Sequence, residues 1–174
     1  RILQHAALTI PDGVGLWFAS VWMGTPLQAR YTGIALTEFL VAGAAERGLS
    51  VYFFGGNPGV AEATAHVFAT RYPVLHVAGA ATGPSMTRQD MDNESLPSFV
   101  TSSVDAIGAT HPAIVLIALG APKQEQFAAV LLARYPDIRV AMGVGGTFDF
   151  CVMALEPGVD RPPPFSYGSC RIEY

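Results

Sequence analysis

The sequence predicts an α/β domain with a doubly wound, mostly parallel sheet and helices on both faces, a Rossmann-like architecture. Short apolar runs bounded by Gly or Pro alternate along the chain with segments of helical periodicity. The predicted strands are apolar at nearly every position, which is typical of strands buried on both faces. A length of 174 residues with no internal repeat suits a single core. We therefore predict one domain over residues 1–155.

Apolar and β-branched runs predict the strands of this sheet. The predicted strands are 8–11, 49–54, 74–78, 113–119 and 138–144. Helical spacing predicts the elements between them, at 36–47, 58–71, an irregular stretch within 88–107, and 122–134. Pro58 and Pro122 suit the first turn of a helix, and Gly48 suits a helix stop.

The two ends of the chain depart from this alternation. The chain begins with Arg1 rather than methionine, which indicates a fragment or a processed form. Residues 156–174 contain Arg161 followed by three prolines, which cannot continue a regular element. We interpret 156–174 as a Pro-rich tail.

Composition narrows the classes of partner. The net charge of -4 and the pI near 5.4, without a basic stripe, argue against nucleic-acid binding. Only 14% of residues are charged and 51% are hydrophobic, so apolar surface remains for another subunit or a membrane. This composition favours a homo-oligomer.

Hydropathy and cysteine content indicate the cellular setting. The apolar run 113–119 is far shorter than the roughly 20 residues that span a bilayer, and no signal-peptide pattern begins the chain. We expect a cytoplasmic protein, at most peripherally attached to the membrane. Cys151 and Cys170 form no CxxC motif, so neither a zinc site nor a disulfide framework is predicted.

Ligands of open α/β sheets bind beyond the carboxyl ends of the strands, so the loops after the strands are the candidate sites. The first such loop is the Pro-Asp-Gly at 11–13. Its composition is that of an ordinary turn, but Asp12 after a strand also suits a base that takes a proton from a substrate hydroxyl. Arg30 suits either an anion contact or a solvated surface position.

The second loop, Gly-Gly-Asn-Pro-Gly at 55–59, leads into a predicted helix. Gly55 and Gly56 before a helix N-terminus suit a phosphate site, because free backbone N–H groups and the helix dipole attract anions. The loop matches neither GxxxxGK[ST] nor GxGxxG, so a tight strand-to-helix turn fits equally.

The third loop, Gly-Ala-Pro-Lys-Gln-Glu at 120–125, places Lys123 in the first turn of a helix. The helix dipole disfavours a cation at that end, so a bound diphosphate or other anion would explain the lysine. Gln124 can both donate and accept hydrogen bonds to a sugar or acceptor. The alternative is a surface helix start with an incidental lysine.

The fourth loop, at 143–149, has closely spaced glycines followed by an acid. Gly145 and Gly146 permit close approach of a ligand, and Asp149 between two aromatics suits contact with a base or ribose. The alternative is a capped turn with Phe148 and Phe150 in the core.

A possible metal motif lies elsewhere in the chain. Asp90-Met91-Asp92 matches the DxD pattern by which many sugar-nucleotide transferases hold a divalent cation. No predicted strand precedes it, so an acid-rich helix entrance is the favoured interpretation. The four histidines lie on separate elements without ligand spacing, and no metal site is predicted.

Six segments occur in an order that resembles a known family. They read PDGVGLWFAS, GTPLQARYTGIAL, VYFFGGNPGVAEATA, RYPVLHVAGAATG, LGAPKQEQF and GVGGTFDF. Together, from residue 8 to about 150, they resemble the WecG/TagA/CpsF family of bacterial glycosyltransferases. The chain lacks the polar segment that family members carry before the PDG strand and the arginine-rich appendage that follows the FDF motif.

The resemblance implies an inverting, metal-independent transferase that needs no cofactor. It would move N-acetylmannosamine or a related sugar from a UDP-sugar donor to a lipid-diphosphate-linked acceptor at the inner membrane face, for teichoic acid or another surface polysaccharide. By the same resemblance Asp12 would be the general base, Arg30 and Gln124 would lie in the active-site pocket, and Asp149 would contact the donor nucleotide. Lys123 is our candidate for stabilising the departing UDP.

Two other functions remain open at this point. A catalytically inactive, truncated family member would act as a binding or assembly subunit. A nicotinamide-dependent oxidoreductase would share the α/β pattern, but neither glycine loop matches GxGxxG, and too little chain follows Gly146 for another βαβ unit.

Overall fold

The computed structural model describes residues 6–10, 14–26, 32–85, 87–92 and 97–155. The described strands are β1 (Ser50–Gly55), β2 (His76–Ala81), β3 (Ile114–Ala118) and β4 (Val140–Gly143). The described helices are α1 (Val14–Trp22), α2 (Gly33–Arg47), α3 (Val60–Arg71), α4 (Arg88–Asp92), α5 (Ser98–Gly108), α6 (Lys123–Arg134) and α7 (Thr147–Leu155).

The four strands form one parallel sheet in the order β2-β1-β3-β4. The chain adds β2 on one side of β1 and then crosses over to place β3 on the other side. The strand order therefore reverses between β1 and β3, which creates the crevice where ligands of doubly wound sheets bind. The predicted α/β fold class is confirmed.

Each central strand contributes side chains to a core on both faces of the sheet. Val51 and Phe53 of β1 pack with residues of α2, α3 and α7, whereas Tyr52 and Phe54 pack with α4, α5 and α6. This arrangement follows from the two-residue period of a strand, which sends successive side chains to opposite faces. Burial on both faces explains why these strands are apolar at nearly every position.

Local signals set the helix ends largely where the sequence predicts them. Gly48 ends α2 in the left-handed conformation at φ 62°, and its N–H donates to the carbonyls of Ala44 and Ala45. Thr32 caps the start of α2 by accepting the N–H of Ala35. The irregular stretch within 88–107 divides into two helices, α4 and α5.

Some predictions differ from the structure at the beginning of the chain. The predicted strand at 8–11 is wrong over its described residues 8–10, which pair with no described strand, and Leu8 is 74% exposed. Residues 8–10 have no neighbouring strand among the described residues, so their backbone N–H and C=O groups cannot form a ladder. Helices α1 and α7 were not among the predicted elements, and the predicted tail at 156–174 lies outside the described residues.

No helix in the described parts of the chain combines the length and the apolar character needed to cross a bilayer.

Candidate functional site

A pocket of about 510 Å³ opens at the carboxyl end of the sheet, at the reversal of strand order between β1 and β3. Loops that follow all four strands contribute to it. The lining residues are Gly56, Asn57, Pro58, Thr82, Gly83, Pro84, Ser85, Ala118, Leu119, Gly120, Lys123, Gly145, Gly146 and Asp149. This position is the one at which open α/β sheets bind ligands.

Gly55 and Gly56 hold the loop after β1 against β3. Gly55 has φ 102°, and an added Cβ would lie 2.6 Å from the carbonyl oxygen of Ala118. Gly56 has φ 80° and donates its N–H to that same oxygen at 2.8 Å. Glycine is therefore required at Gly55 both for conformation and for space. Gly56 lines the pocket, whereas Gly55 is not among the lining residues.

The loop after β2 forms a wall that the sequence pattern does not predict. The hydroxyl oxygen of Thr82 accepts the N–H of Gly59, the N-cap of α3, at 3.2 Å. Thr82 thereby joins the loop after β2 to the loop after β1. The predicted strand 74–78 ends three residues before the observed end of β2 at Ala81. The sequence therefore does not place Thr82 and Ser85 at the carboxyl end of this strand.

Lys123 lies in the first turn of α6, as predicted, although the helix begins at Lys123 and not at Pro122. It lines the pocket in a half-buried position. The backbone N–H of Gln124 donates to the carbonyl of Gly120 at 3.1 Å and so closes the turn between β3 and α6. The start of α6 and the ammonium group of Lys123 therefore provide favourable surroundings for an anion.

Gln124 lies behind the pocket lining and is 8% exposed. Its Oε1 accepts the N–H of Gly145 at 2.9 Å, and its Nε2 donates to Oε1 of Glu125 at 2.9 Å. Its amide therefore joins the turn after β3 to the loop after β4. A direct role for Gln124 on the substrate stays a prediction.

The loop after β4 brings Gly145, Gly146 and Asp149 into the pocket. Gly145 has φ 55°, which favours glycine, and Asp149 lies in the first turn of α7. The Asp149 carboxylate makes no ion pair or side-chain hydrogen bond with another described residue and is half-buried. The alternative that both flanking aromatics lie in the core applies to Phe148 alone, because Phe150 is 58% exposed.

Three helices, α3, α6 and α7, begin at the pocket. Their N-termini carry a partial positive charge from the helix dipole, to which Lys123 adds a full positive charge. The pocket can therefore hold an extended anion such as a diphosphate, while Asp149 offers an acceptor for hydroxyl or N–H groups.

Two of the predicted catalytic residues, Asp12 and Arg30, lie outside the described residues. The DxD motif forms a helix entrance, because Asp90 accepts hydrogen bonds from the N–H and the hydroxyl of Thr87 in a capping box. These bonds lower the pKa of Asp90. The described residues contain no group of three or more His, Cys, Asp or Glu side chains arranged to hold a metal ion.

Comparison with known proteins places this pocket in a family context. The model of the glycosyl transferase WecG/TagA/CpsF family matches residues 1–155. A Bacillus spizizenii protein named N-acetylglucosaminyldiphosphoundecaprenol N-acetyl-beta-D-mannosaminyltransferase is 30% identical over 94% of this chain and 57% of its own length. A protein of the same name from Bacillus subtilis strain 168 is 26% identical over 85% of this chain and 53% of its own length.

The chain therefore spans little more than half the length of the curated relatives it matches. The family match covers all of the described elements, including the four strands and the pocket loops. The chain belongs to the WecG/TagA/CpsF family of glycosyl transferases.

Proposed function

We propose that this chain is an inverting, metal-independent glycosyltransferase. It moves N-acetylmannosamine or a related sugar from a UDP donor to an undecaprenyl-diphosphate-linked N-acetylglucosamine acceptor. The names of the two relatives support the sugar and the lipid-linked acceptor. Family membership supports the reaction class.

The observation that carries this proposal is the pocket at the carboxyl end of the sheet, with three helix N-termini and Lys123 around it. A UDP leaving group accumulates negative charge on its diphosphate as the bond to the sugar breaks. Preorganised N–H groups and a lysine stabilise that charge without rearrangement, which lowers the barrier. Asp149 would contact the nucleotide part of the donor.

The proposed reaction needs one base and one leaving-group site. The acceptor hydroxyl attacks the anomeric carbon from the face opposite UDP, the new C–O bond forms, and the bond from that carbon to the UDP oxygen breaks. Asp12 takes the hydroxyl proton, and UDP departs with the bonding electron pair. Arg30 would bind an anionic group of donor or acceptor. These two assignments rest on the sequence motifs, because neither residue lies in the described part of the chain.

A lipid-linked acceptor would bring the enzyme to the cytoplasmic face of the membrane as a peripheral protein. The exposed aromatics of α1 support contact with an apolar partner, since Trp22 is 92% exposed and Phe18 is 62% exposed. Such a partner is either the membrane or a second subunit.

The test is release of UDP from a panel of UDP-sugars in the presence of a synthetic lipid-diphosphate N-acetylglucosamine acceptor. We expect release with UDP-N-acetylmannosamine and loss of release in Asp12→Asn, because the base that activates the acceptor is removed. UDP binding without release by the wild-type chain would instead support the inactive binding subunit. Full activity in Asp12→Asn would remove Asp12 as the base.

A further inference from the structure

A chain of hydrogen bonds joins two walls of the pocket through side chains that do not line it. The N–H of Gly145 donates to Oε1 of Gln124, and Nε2 of Gln124 donates to Oε1 of Glu125, both at 2.9 Å. Gln124 and Glu125 belong to the first turn of α6, next to Lys123, whereas Gly145 belongs to the loop after β4. The Gln124 amide therefore connects the lysine wall of the pocket to the wall that carries Asp149.

Packing restricts the position of this amide. Gln124 lies over Gly143, where an added Cβ would come within 2.7 Å of both Cδ and Nε2 of Gln124. The glutamine is also 8% exposed, so water has little access to it. With its position restricted, rotation that exchanges Oε1 and Nε2 is the main freedom left to the amide.

Glu125 favours one of the two orientations of the Gln124 amide, which differ by the exchange of Oε1 and Nε2. In the observed orientation each contact pairs a donor with an acceptor. Exchange of Oε1 and Nε2 would set the NH₂ group against the N–H of Gly145 and the amide oxygen against the carboxylate. An ionised carboxylate only accepts hydrogen bonds, so Glu125 disfavours the exchanged orientation.

Stability alone does not account for a carboxylate at this position. Oε2 of Glu125 is buried and has no hydrogen-bond partner among the described residues. A buried carboxylate oxygen without a partner costs free energy of folding. An apolar residue of similar size would avoid that cost, whereas it could not orient Gln124.

We propose that Glu125 is a positioning residue of the transferase reaction. Its carboxylate fixes the amide of Gln124, which holds the N–H of Gly145 and so sets the wall formed by Gly146 and Asp149 for the donor nucleotide. This role rests on the proposed function, since it assumes that the pocket takes a UDP-sugar.

The test compares UDP binding by the full chain, measured by calorimetry, in Glu125→Met, Gln124→Met and the double variant. Each single change is expected to weaken UDP binding about tenfold, and the double variant no further, because Glu125 acts through Gln124. A charge effect alone would act in the opposite direction, since loss of a carboxylate near an anion strengthens anion binding. Glu125→Gln keeps an acceptor and is expected to recover part of the affinity.

Two further measurements separate positioning from general damage. The melting temperature of Glu125→Met is expected to stay near that of the wild type, because loss of the hydrogen bond at Oε1 is offset by removal of the buried Oε2, which has no partner among the described residues. Hydrogen exchange of the Gly145 amide is expected to become faster in Glu125→Met, because the Gln124 oxygen is no longer held toward it.

The possible failures are distinguishable. Unchanged UDP affinity in Glu125→Met, when the wild-type chain binds UDP, overturns the positioning role and leaves the proposed function intact. The positioning role is also overturned if the losses of UDP affinity in the two single variants add in the double variant. No UDP binding by the wild type overturns the proposed function, and the positioning role with it. In that case Gly145 exchange shows whether the hydrogen-bonded link itself exists.

Discussion

The two ends of the sheet carry pockets of different character. At the carboxyl end, a pocket of about 510 Å³ is lined by glycine loops, with Lys123 and Asp149 on its walls. At the amino end, before β3 and β4, a smaller pocket of about 300 Å³ is lined by residues that include Arg134 and Tyr135. Both of these side chains are committed to Asp105, Arg134 through an ion pair of 2.7 Å and Tyr135 through a hydrogen bond of 2.9 Å.

The difference shows that a parallel sheet can bind ligands at one end while the contacts at its other end stabilise the fold. The helices that follow the strands begin at the carboxyl end and direct their N–H groups there, so that end attracts anions. At the amino end Arg134 and Tyr135 are both paired with Asp105, which joins α5 to the end of α6. The carboxyl end is thus the proposed binding end of the sheet, and the amino end is a structural end.

The largest expected effect is on stability, from Gly55→Ala. The new Cβ would lie 2.6 Å from the carbonyl oxygen of Ala118 at φ 102°. We expect a loss of about 4 kcal/mol in the free energy of unfolding, from overpacking and backbone strain together. Gly120→Ala is the matched control, because φ is 75° but no atom lies within 4 Å of the new Cβ. It should cost about 1 kcal/mol from strain alone. Equal losses in urea unfolding would contradict the steric argument.

The next effect is on UDP binding, from Lys123→Met. Loss of the ammonium group at the carboxyl end should weaken UDP binding about thirtyfold in calorimetry, because a charge-assisted contact to phosphate is removed. Arg139→Met at the amino-end pocket is the matched control and should leave the affinity unchanged. An equal loss in both variants would indicate a general charge effect instead of a site.

The third prediction concerns Cys151, through which α7 is buried in the core. It is tested by the pH dependence of stability. The thiol is fully buried, and burial, with a smaller contribution from Glu38, raises its pKa from 9.0 to about 12. Above pH 9 the unfolded chain loses this proton while the folded chain keeps it, so stability is full below pH 9 and falls as pH rises toward 12. Between pH 9 and 10 the fall should be about 1 kcal/mol.

Cys151→Ala should lose this contribution and keep the smaller one from Tyr52 and Tyr72, whose pKa values burial also raises. Both proteins carry Cys170→Ser so that no other thiol contributes. Urea unfolding at pH 8, 9 and 10 measures it. The same pH slope with and without Cys151 would show that its thiol is not kept neutral in the fold.

The smallest effect is expected at the amino end, from Asp105→Asn. The Asp105 and Arg134 side chains are 43% and 53% exposed, so solvent screens their ion pair, and its loss should cost about 0.5 kcal/mol in urea unfolding. UDP affinity should not change. A changed affinity would show that the amino end also acts on the site.

The sheet and its two helical layers could be predicted because burial on both faces leaves a direct mark on the sequence. The runs 49–54 and 113–119 are apolar at nearly every position, and they correspond to the central strands β1 and β3. Lys123 at the start of α6 also followed from local signals alone. The glycine loops after β1, β3 and β4 could be located for the same reason.

The remaining features depend on contacts that no local pattern carries. The glycines before α7 and the aromatics around Asp149 are compatible with a loop, so the helix could not be recognised. The link from Gln124 to Gly145 spans 21 residues and exists only because β3 and β4 are neighbours. Similarly, Thr82 lines the pocket because β2 ends at Ala81, which is three residues beyond the end of the predicted strand.

The most direct test of the binding end is the amide ¹H–¹⁵N spectrum of the chain titrated with UDP. If the carboxyl-end pocket takes the nucleotide, the amides of Gly56, Gly120, Gly145 and Gly146 should shift, while those of Gly108 and His111 at the amino end should not. Shifts confined to the amino-end residues, or an unchanged spectrum at millimolar UDP, would contradict the assignment of this pocket to a UDP-sugar.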